Sequence, residues 1–429
     1  MRFDLLHPAD QIVMIMERIY AYGMTTTSGG NLSVLDDNGD VWITPGGIDK
    51  GTLTRKDIVC VKPDGTVVGI HKPSIETPFH LTIYKSRPDL RAVLHAHPPA
   101  LVAFSVVRRI PDTLLIPNAR LVCGEVGMAP YGLPGSADLG EKIAAVFAQG
   151  CDTVMLENHG VVLGRGDLFS AFMGFETLDF CARLQIEAHK LGKPASLSER
   201  SVELSRSKQD IRWPTFTPER HSSEENEARR DMVTLIRRAY DQRLFTSTQG
   251  TFSQRLSGGD FLITPYHMDR RYMEAEDLVL VRAGQTEAGK RPSRSLPLHQ
   301  KIYERHPDIH SVIIAHPPNI MAFAVTQEPF DSRIIPESYL MLRDVPKMDF
   351  GASFLDTDAV ADRLSGSTPV LLVRNDCVIV TGSSLLNAFD RLEVAEYSAK
   401  AILAARDLGD IVTIDRERIA DIDRAFGLK

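Results

Sequence analysis

Residues 80–106 read HLTIYKSRPDLRAVLHAHPPALVAFSV, and residues 299–325 read HQKIYERHPDIHSVIIAHPPNIMAFAV. The two stretches share Ile-Tyr, Pro-Asp, Ala-His-Pro-Pro and Ala-Phe-x-Val at an offset of 219 residues. Outward from this pair, ITPGGIDKGTLTRKDIVCV (43–61) matches ITPYHMDRRYMEAEDLVLV (263–281) at an offset of 220 residues. A period of this length is far above that of a solenoid repeat, so it indicates duplication of a whole domain.

The repeat divides the chain of 429 residues into two domains. We expect the first over residues 1–205 and the second over residues 226–429. Between them, residues 206–225 are rich in proline, serine and charge, which is typical of an exposed linker that leads into a helix.

The composition is that of a globular protein, with 43% apolar and 24% charged residues. A net charge of −7 without a basic stripe argues against nucleic acid and against an anionic membrane surface as partners. The five cysteines form no C-x-x-C pair, so a disulfide framework is not expected and a reducing cytoplasm fits best. The beginning of the chain, MRFDLLHPADQ, does not resemble a signal peptide.

Hydrophobic spacing predicts a mixture of helices and strands. Apolar residues at helical intervals predict helices over 9–23 and 168–191, and a further helix is expected over 78–86. GGNLSV and DVWITP read as two strands joined by a turn, and residues 91–97 and 153–163 read as strand segments. Helices that can cover a sheet place the fold in the α/β or α+β class.

Glu76, His95, His97 and His159 form the most informative set of polar residues in the first half of the chain. His95 and His97 are two apart on a predicted strand, so both side chains leave the same face. His159 belongs to a Glu-Asn-His-Gly corner after a strand. Three neutral imidazoles leave one position open on a cation, which is the arrangement of a catalytic zinc site. Glu76 would supply a fourth ligand or a base.

Plainer interpretations exist for each of these residues. A single histidine on a strand is more often structural than a ligand, and a His-x-His pair alone is a modest signal. Glu76 alone would be a helix-start carboxylate that interacts with the helix dipole. His71, His80 and His189 are interpreted as structural or solvent-facing.

Together these residues resemble the class II aldolase/adducin family, which includes L-fuculose-phosphate aldolase. The resemblance spans essentially all of the first domain. It rests on six blocks in order: SGGNLS (28–33), ITPGGI (43–48), KPSIETPFH (72–80), HAHPP (95–99), MAPYGLPGS (128–136) and ENHG (157–160).

The resemblance implies an α/β fold, a three-layer αβα sandwich around a mostly antiparallel sheet, present here in two tandem copies. It implies a zinc ion on His95, His97 and His159, with Glu76 as the acid/base residue. It also implies that Tyr131 donates a proton in the site of a neighbouring subunit. The implied substrate pocket consists of Gly30, Asn31, Gly46, Gly47 and Ser74.

The implied activity is that of a metal-dependent aldehyde-lyase. Such an enzyme cleaves a C–C bond of a small sugar-derived ketose or ketose phosphate, and the metal stabilises the enediolate as a Lewis acid. A decarboxylase or an epimerase would use the same metal, so family membership does not fix the reaction. An adducin-like assembly module without catalysis is a third alternative, although such modules lack the metal ligands that the first domain retains.

Two positions depart from the aldolase pattern. Gly46-Gly47 stands where the fucose-type aldolase has Thr-Gly, and Ser74-Ile75 stands where it has Ser-Ser. Because Ile75 cannot donate a hydrogen bond to a phosphate, a carboxylate or a more apolar substrate becomes an alternative to a phosphorylated one.

The second domain lacks most of the chemical residues. By the repeat offset, His316 matches His97, and the other positions carry replacements: Ser295 for Glu76, Ile314 for His95, Asp376 for His159, Thr251 for Asn31 and Phe350 for Tyr131. The family forms four-fold rings, so a homo-oligomer is expected in which two chains give a pseudo-four-fold ring of domains. If the two domains alternate there, Phe350 would face each metal site in place of a tyrosine.

Overall fold

The structure is a computed structural model, and it describes residues 3–206, 208 and 211–428. The chain separates into two compact units, Met1–Thr113 with Asn118–Arg183 and Leu114–Pro117 with Leu184–Lys429. We refer to them as the first domain and the second domain. The boundary falls earlier than the predicted end of the first domain at residue 205.

The first domain contains a sheet of eight strands in the order β4-β3-β2-β1-β5-β8-β7-β6. All neighbouring strands are antiparallel except β6 and β7, which are parallel. The strands are β1 (Asn31–Leu35), β2 (Val41–Ile43), β3 (Val59–Val61), β4 (Val67–Val68), β5 (Ala92–Ala96), β6 (Val126–Ala129), β7 (Thr153–Leu156) and β8 (Val161–Arg165).

Helices pack on both faces of this sheet. They are α1 (Pro8–Ala21), α2 (Thr77–Ser86), α3 (Pro99–Val106), α4 (Pro117–Cys123), α5 (Ala137–Ala148) and α6 (Leu168–Leu191). Helices α2 and α5 bury Phe79 and Phe147 in one cluster with Val93 and Val162. Full burial of each phenylalanine contributes about 1.5–3 kcal/mol. These contacts form the layer that carries Glu76.

The opposite face of the sheet is covered by α1 and α6. Leu163 alternates with Val162 along β8 and therefore points to this face, where it packs against Gly174 of α6. The guanidinium of Arg18 in α1 lies 4.5 Å from the ring centre of Phe172 in α6, which links the two helices. The three layers predicted for the fold are therefore present.

The second domain repeats the sheet and adds one strand, in the order β15-β16-β17-β14-β10-β11-β12-β13-β9. The additional strand β9 pairs in parallel with β13, and it comes from the segment predicted as a linker. The strands are β9 (Thr215–Phe216), β10 (Thr251–Arg255), β11 (Phe261–Ile263), β12 (Val279–Arg282), β13 (Gln285–Glu287), β14 (Ser311–Ala315), β15 (Lys347–Met348), β16 (Val370–Val373) and β17 (Cys377–Gly382).

The second domain has more helices than the first among the described residues. Its helices are α7 (Glu199–Arg206), α8 (Ser223–Asp241), α9 (Leu296–Arg305), α10 (Pro318–Ala324), α11 (Pro336–Leu342), α12 (Ala352–Leu355), α13 (Thr357–Arg363), α14 (Leu385–Ala405) and α15 (Arg416–Ala425). Over the described residues, none of the helices combines the length and apolar character needed to cross a membrane. All five cysteines are free thiols.

Candidate metal centre

Two strands and one corner bring the three histidines together. In the sheet register His95 of β5 lies opposite Asn31 of β1 on one side and Val162 of β8 on the other. His97 lies just beyond the end of β5, and His159 lies in the turn between β7 and β8. The turn contains Asn158 with a φ of 53°, a left-handed conformation that asparagine adopts more readily than most residues.

Close packing of backbone holds this arrangement. A Cβ on Gly160 would lie 2.6 Å from the carbonyl oxygen of Ala96, and a Cβ on Gly30 would lie 2.9 Å from that of His95. Only glycine permits such an approach at these two places. The two glycines therefore let the neighbouring loops pack against the end of β5. This end of the strand carries His95, and His97 follows directly after it.

The imidazole nitrogens converge on one point. Each of His95, His97 and His159 offers a ring nitrogen within 4.8 Å of those of the other two, which is the spacing of ligands to a single ion. The Nε2 atoms of His95 and His97 lie 2.9 Å apart. His95 Nδ1 lies 2.9 Å from the carbonyl oxygen of Val161, which can only accept, so Nδ1 carries the proton and Nε2 presents its lone pair to the site.

The three histidines are held in the neutral form that a metal requires. Burial lowers the pKa of His95 well below its ordinary value, and the neighbouring imidazoles act in the same direction. Burial also lowers the pKa of His97 to about 4. The pKa of His159 is lowered for the same reason, although Glu76 opposes the shift. Neutral imidazoles leave a bound cation its full charge.

Glu76 stands at the N-cap of α2, but its carboxylate does not cap that helix. Oε2 instead accepts a hydrogen bond of 2.7 Å from Asn31 Nδ2 and lies 3.4 Å from His95 Nε2. Oε1 lies 3.6 Å from His159 Nε2 and is buried with no hydrogen-bond partner among the described residues. A buried carboxylate oxygen without a donor is costly, and a cation between the imidazoles would satisfy it. The residues present therefore fit a divalent metal.

The five predicted pocket residues lie near Glu76, four on loops and one at the start of a strand. Gly30 precedes β1 and Asn31 is the first residue of that strand, and the Ser74 hydroxyl accepts a hydrogen bond from the Glu76 amide at 3.3 Å. A Cβ on Gly46 would lie 3.2 Å from the Pro73 carbonyl oxygen, so the loop of Gly46 and Gly47 lies against the loop that carries Ser74. Ile75 is 71% exposed. The pocket wall is therefore mostly backbone.

Tyr131 has a different environment. Its side chain is 52% exposed, its amide donates to Glu157 Oε2, and its carbonyl oxygen accepts from Lys142 Nζ. His80, which the sequence interpretation gave as structural or solvent-facing without a link to the site, is completely buried and bonded to Asn31 and Ser33. A usable signal was present, because a serine, a histidine and a tyrosine recur in both halves as Ser33-His80-Tyr84 and Ser253-His299-Tyr303.

The equivalent place in the second domain contains an ion pair. The register sets Ile314 opposite Thr251 and Ile379, as His95 lies opposite Asn31 and Val162 in the first domain. Asp376 accepts hydrogen bonds from Ser353 and, at 3.2 Å, from Lys208 Nζ. Burial opposes ionisation of Asp376, but Lys208, Ser353 and His316 keep its pKa below the ordinary value.

The Lys208 ammonium also lies 4.7 Å from the ring centre of Phe354. It is one of the charged groups that act on His316, whose pKa is lowered to about 4, chiefly by burial. Among the described residues, no three histidine, cysteine or acidic side chains of the second domain form a group comparable to the triad.

A three-layer fold with three converging imidazoles and a buried carboxylate around one point defines a metal-dependent type of enzyme centre. The family model for the class II aldolase and adducin N-terminal domain matches residues 10–186 and again residues 230–403. The chain therefore belongs to the class II aldolase and adducin family, in two tandem copies, and it is an enzyme of the class II aldolase type.

The known relatives each match somewhat less than half of the chain. 5-Deoxy-D-ribulose 1-phosphate aldolase of Bacillus thuringiensis serovar kurstaki is 31% identical over 45% of this chain and 91% of its own length. 3-Oxo-tetronate 4-phosphate decarboxylase of Haemophilus influenzae is 32% identical over 40% of this chain and 84% of its own. The solved structure of an L-fuculose 1-phosphate aldolase is 31% identical, covers 47% of this chain and 94% of its own, and has a TM-score of 0.43.

Proposed function

We propose that the first domain is a metal-dependent aldehyde-lyase that cleaves a C–C bond of a small sugar-derived ketose or ketose phosphate. The observation that carries the proposal is the convergence of three neutral imidazoles with one buried carboxylate whose Oε1 has no donor among the described residues. The names of the relatives support the same type of reaction, since they include aldolases of two sugar phosphates.

His95, His97 and His159 would hold the metal. Zinc is the ion we propose, because three imidazoles with one open position form a common catalytic zinc site. When bound, the cation supplies Lewis-acid stabilisation of the negative charge that develops on the carbonyl oxygen of the substrate. The histidines remain neutral and leave that charge undiminished.

Glu76 would move the proton between substrate oxygen and carbon. Its Oε2 is held by Asn31, whereas Oε1 is free to accept a proton from a hydroxyl group placed beside the imidazoles. Tyr131, which is 52% exposed in the single chain, would act as a proton donor where the first domain of a neighbouring subunit faces the site. If the two domains alternate around the ring, Phe350 takes that place and another group donates the proton. The homo-oligomer, the alternation of domains around a ring and the cytoplasmic location remain predictions.

The pocket bears on the substrate class. Asn31 and Ser74 both have protein hydrogen-bond partners, and the Gly46 amide donates to the Lys72 carbonyl oxygen at 3.1 Å. The amides of Gly30 and Gly47 are therefore the remaining polar lining we assign to an anionic group. Ile75 at 71% exposure adds apolar surface. Relatives that carry phosphate in the names of their substrates favour the ketose phosphate, and Ile75 favours the unphosphorylated ketose.

Decarboxylation is the second candidate. Loss of carbon dioxide beside a carbonyl leaves the same type of negative charge, and the 32% identity to a 3-oxo-tetronate 4-phosphate decarboxylase favours it specifically. The two reactions differ in their products and not in the groups that this site offers.

The test uses the purified full chain loaded with zinc. Ketoses and 3-oxo acids, each with and without a terminal phosphate, are the substrates, and released aldehyde and carbon dioxide are measured separately. We expect aldehyde from a ketose and a loss of about 10²–10⁴-fold in kcat for Glu76→Gln. Ser295→Ala, at the equivalent place in the second domain, is the matched control with unchanged rates. Carbon dioxide without aldehyde would replace the proposal by the second candidate.

A further inference from the structure

A buried chain of hydrogen bonds leads from the interior of the first domain to Glu76. Tyr84 Oη lies 2.7 Å from Ser33 Oγ, which lies 2.7 Å from His80 Nδ1. His80 Nε2 lies 2.5 Å from Asn31 Oδ1, and Asn31 Nδ2 donates at 2.7 Å to Glu76 Oε2. Each of the five residues is at most 7% exposed. This series of hydrogen bonds is therefore almost completely shielded from bulk water.

The donor and the acceptor of each of these hydrogen bonds follow from the Glu76 end of the series. The Glu76 carboxylate only accepts, so Asn31 turns its NH₂ group to Glu76 and its carbonyl oxygen to His80. That oxygen needs a donor, so His80 carries its proton on Nε2. Neutral His80 then accepts at Nδ1 from the Ser33 hydroxyl, which in turn accepts from Tyr84. Reversing the Asn31 amide would set two oxygens against each other at 2.7 Å.

The second domain contains the same chain without its last two members. Ser253 Oγ lies 2.7 Å from His299 Nδ1 and 2.7 Å from Tyr303 Oη, as in the first domain. Thr251, in the place of Asn31, is bonded to Ser293 instead. His299 Nε2 is consequently buried with no partner among the described residues. The inner bonds are thus common to both domains. Within the part of the chain that the structure describes, the bond from the histidine to an asparagine and then to a glutamate exists only beside the triad.

We propose that His80 is a positioning residue of the metal centre: its Nε2–H fixes the amide of Asn31, and Asn31 fixes the carboxylate of Glu76. With Oε2 held in this way, Oε1 stays directed at the imidazoles, 3.6 Å from His159 Nε2. The inference rests on the proposed function only for its kinetic consequence, because the geometric consequence concerns residues of this chain alone. Outer partners of this kind typically change metal affinity or activity by about 10–100-fold.

Two substitutions separate the two bonds of His80. In His80→Gln the side-chain amide reaches the position of Nε2 and can still donate to Asn31. In His80→Asn the shorter amide reaches only the position of Nδ1 and keeps the bond to Ser33. His299→Gln and His299→Asn are the matched controls in the second domain. There the described residues give His299 Nε2 no hydrogen bond to an asparagine that would hold a glutamate.

The measurements are kcat and KM with the best substrate, zinc affinity by competition with a chelator, thermal stability, and crystal structures of the variants. We expect His80→Asn to lower kcat by about 10–100-fold with a smaller change in KM, and His80→Gln to retain most of it. The structure of His80→Asn should show Asn31 or Glu76 rotated from its wild-type position. His299→Asn should lose similar stability without any change in kcat.

Several outcomes would overturn the proposal. One is an unmoved Asn31–Glu76 bond in the His80→Asn structure. Others are equal kinetic losses in His80→Asn and His80→Gln, or a kcat loss in His299→Asn as large as that in His80→Asn. If the wild-type protein cleaves no substrate, the proposed function fails, but the crystal structures and the chelator competition still decide the role of His80.

Discussion

The two domains share the same sheet, but they differ in the source of the positive charge at equivalent places. At the end of β5, neutral imidazoles and the Glu76 carboxylate surround a point suited to an external cation. At the end of β14, Asp376 has an internal cation, because the Lys208 ammonium lies 3.2 Å from its carboxylate. The difference shows that duplication preserved the scaffold and that a lysine from outside the repeated segment now supplies positive charge in the second copy.

The largest effect should follow from removing one imidazole of the triad. His97→Ala should abolish stoichiometric zinc binding and lower activity by more than about 100-fold, beyond the usual effect of an outer partner. His316→Ala, at the equivalent position, should leave both unchanged, because its surroundings already contain Lys208. Metal content per chain, measured by elemental analysis, checks this. Two metals per wild-type chain, or metal loss in His316→Ala, would contradict the assignment of the metal to the first domain alone.

A second effect tests whether Lys208 balances Asp376. Lys208→Met should destabilise the second domain by about 3–5 kcal/mol, because it leaves a buried carboxylate, with a side-chain exposure of 7%, without its ion-pair partner. The double variant Lys208→Met/Asp376→Asn should recover most of that loss. Hydrogen exchange of the backbone amides of β16 and β17, measured at increasing urea concentrations, reports the stability of this domain. A single variant as stable as the wild type would show that the pair contributes little.

The sequence predicted those features of the two centres that depend on local pattern. The His-x-His spacing, the Glu-Asn-His-Gly corner and the repeat offset were enough to bring His95, His97 and His159 together and to identify Ile314 and Asp376 as replacements. Helix α2 begins one residue before the predicted 78–86, with Glu76 at its N-cap, and that cap position explains how the carboxylate reaches the triad.

Other features depend on pairs of residues that are far apart in the chain. Lys208 lies in the segment predicted as a linker and has no counterpart in the repeat, so no periodicity relates it to Asp376, 168 residues away. His80 was interpreted as structural or solvent-facing, and its bond to Asn31 spans 49 residues. Burial decides both interactions, because a charged or polar group without water must find whichever partner the fold brings near.

A smaller effect distinguishes two buried cations at equivalent loops. Lys50, only 2% exposed, donates to the Pro45 carbonyl oxygen at 2.5 Å, and Arg270 occupies the same place in the second domain. Burial lowers the pKa of Lys50 to about 8, although Asp49 opposes the shift. Between pH 8 and about 10.5 the unfolded chain therefore binds the additional proton, and this residue makes stability rise with pH.

Lys50→Arg should remove that contribution, because arginine stays charged in both states over this range. The slope of the free energy of unfolding against pH should fall by at most about 1.4 kcal/mol per pH unit in the first domain. Arg270→Lys should introduce a slope of the same sign in the second. Chemical denaturation at four pH values above 8 measures both slopes, and identical slopes in wild type and variants would contradict the assignment.

The last effect concerns the corner that carries His159. Gly160→Ala should destabilise the first domain by about 1–3 kcal/mol, because the new Cβ would lie 2.6 Å from the Ala96 carbonyl oxygen and the two loops would have to separate. Cys377 occupies the equivalent place in the second domain and already has a Cβ, so Cys377→Ala should cost less. Since His97 Cδ2 lies 2.7 Å from the same position, Gly160→Ala should also weaken zinc binding in chelator competition, whereas Cys377→Ala should not. An unchanged zinc affinity in Gly160→Ala would mean that the triad tolerates movement of the corner that carries His159.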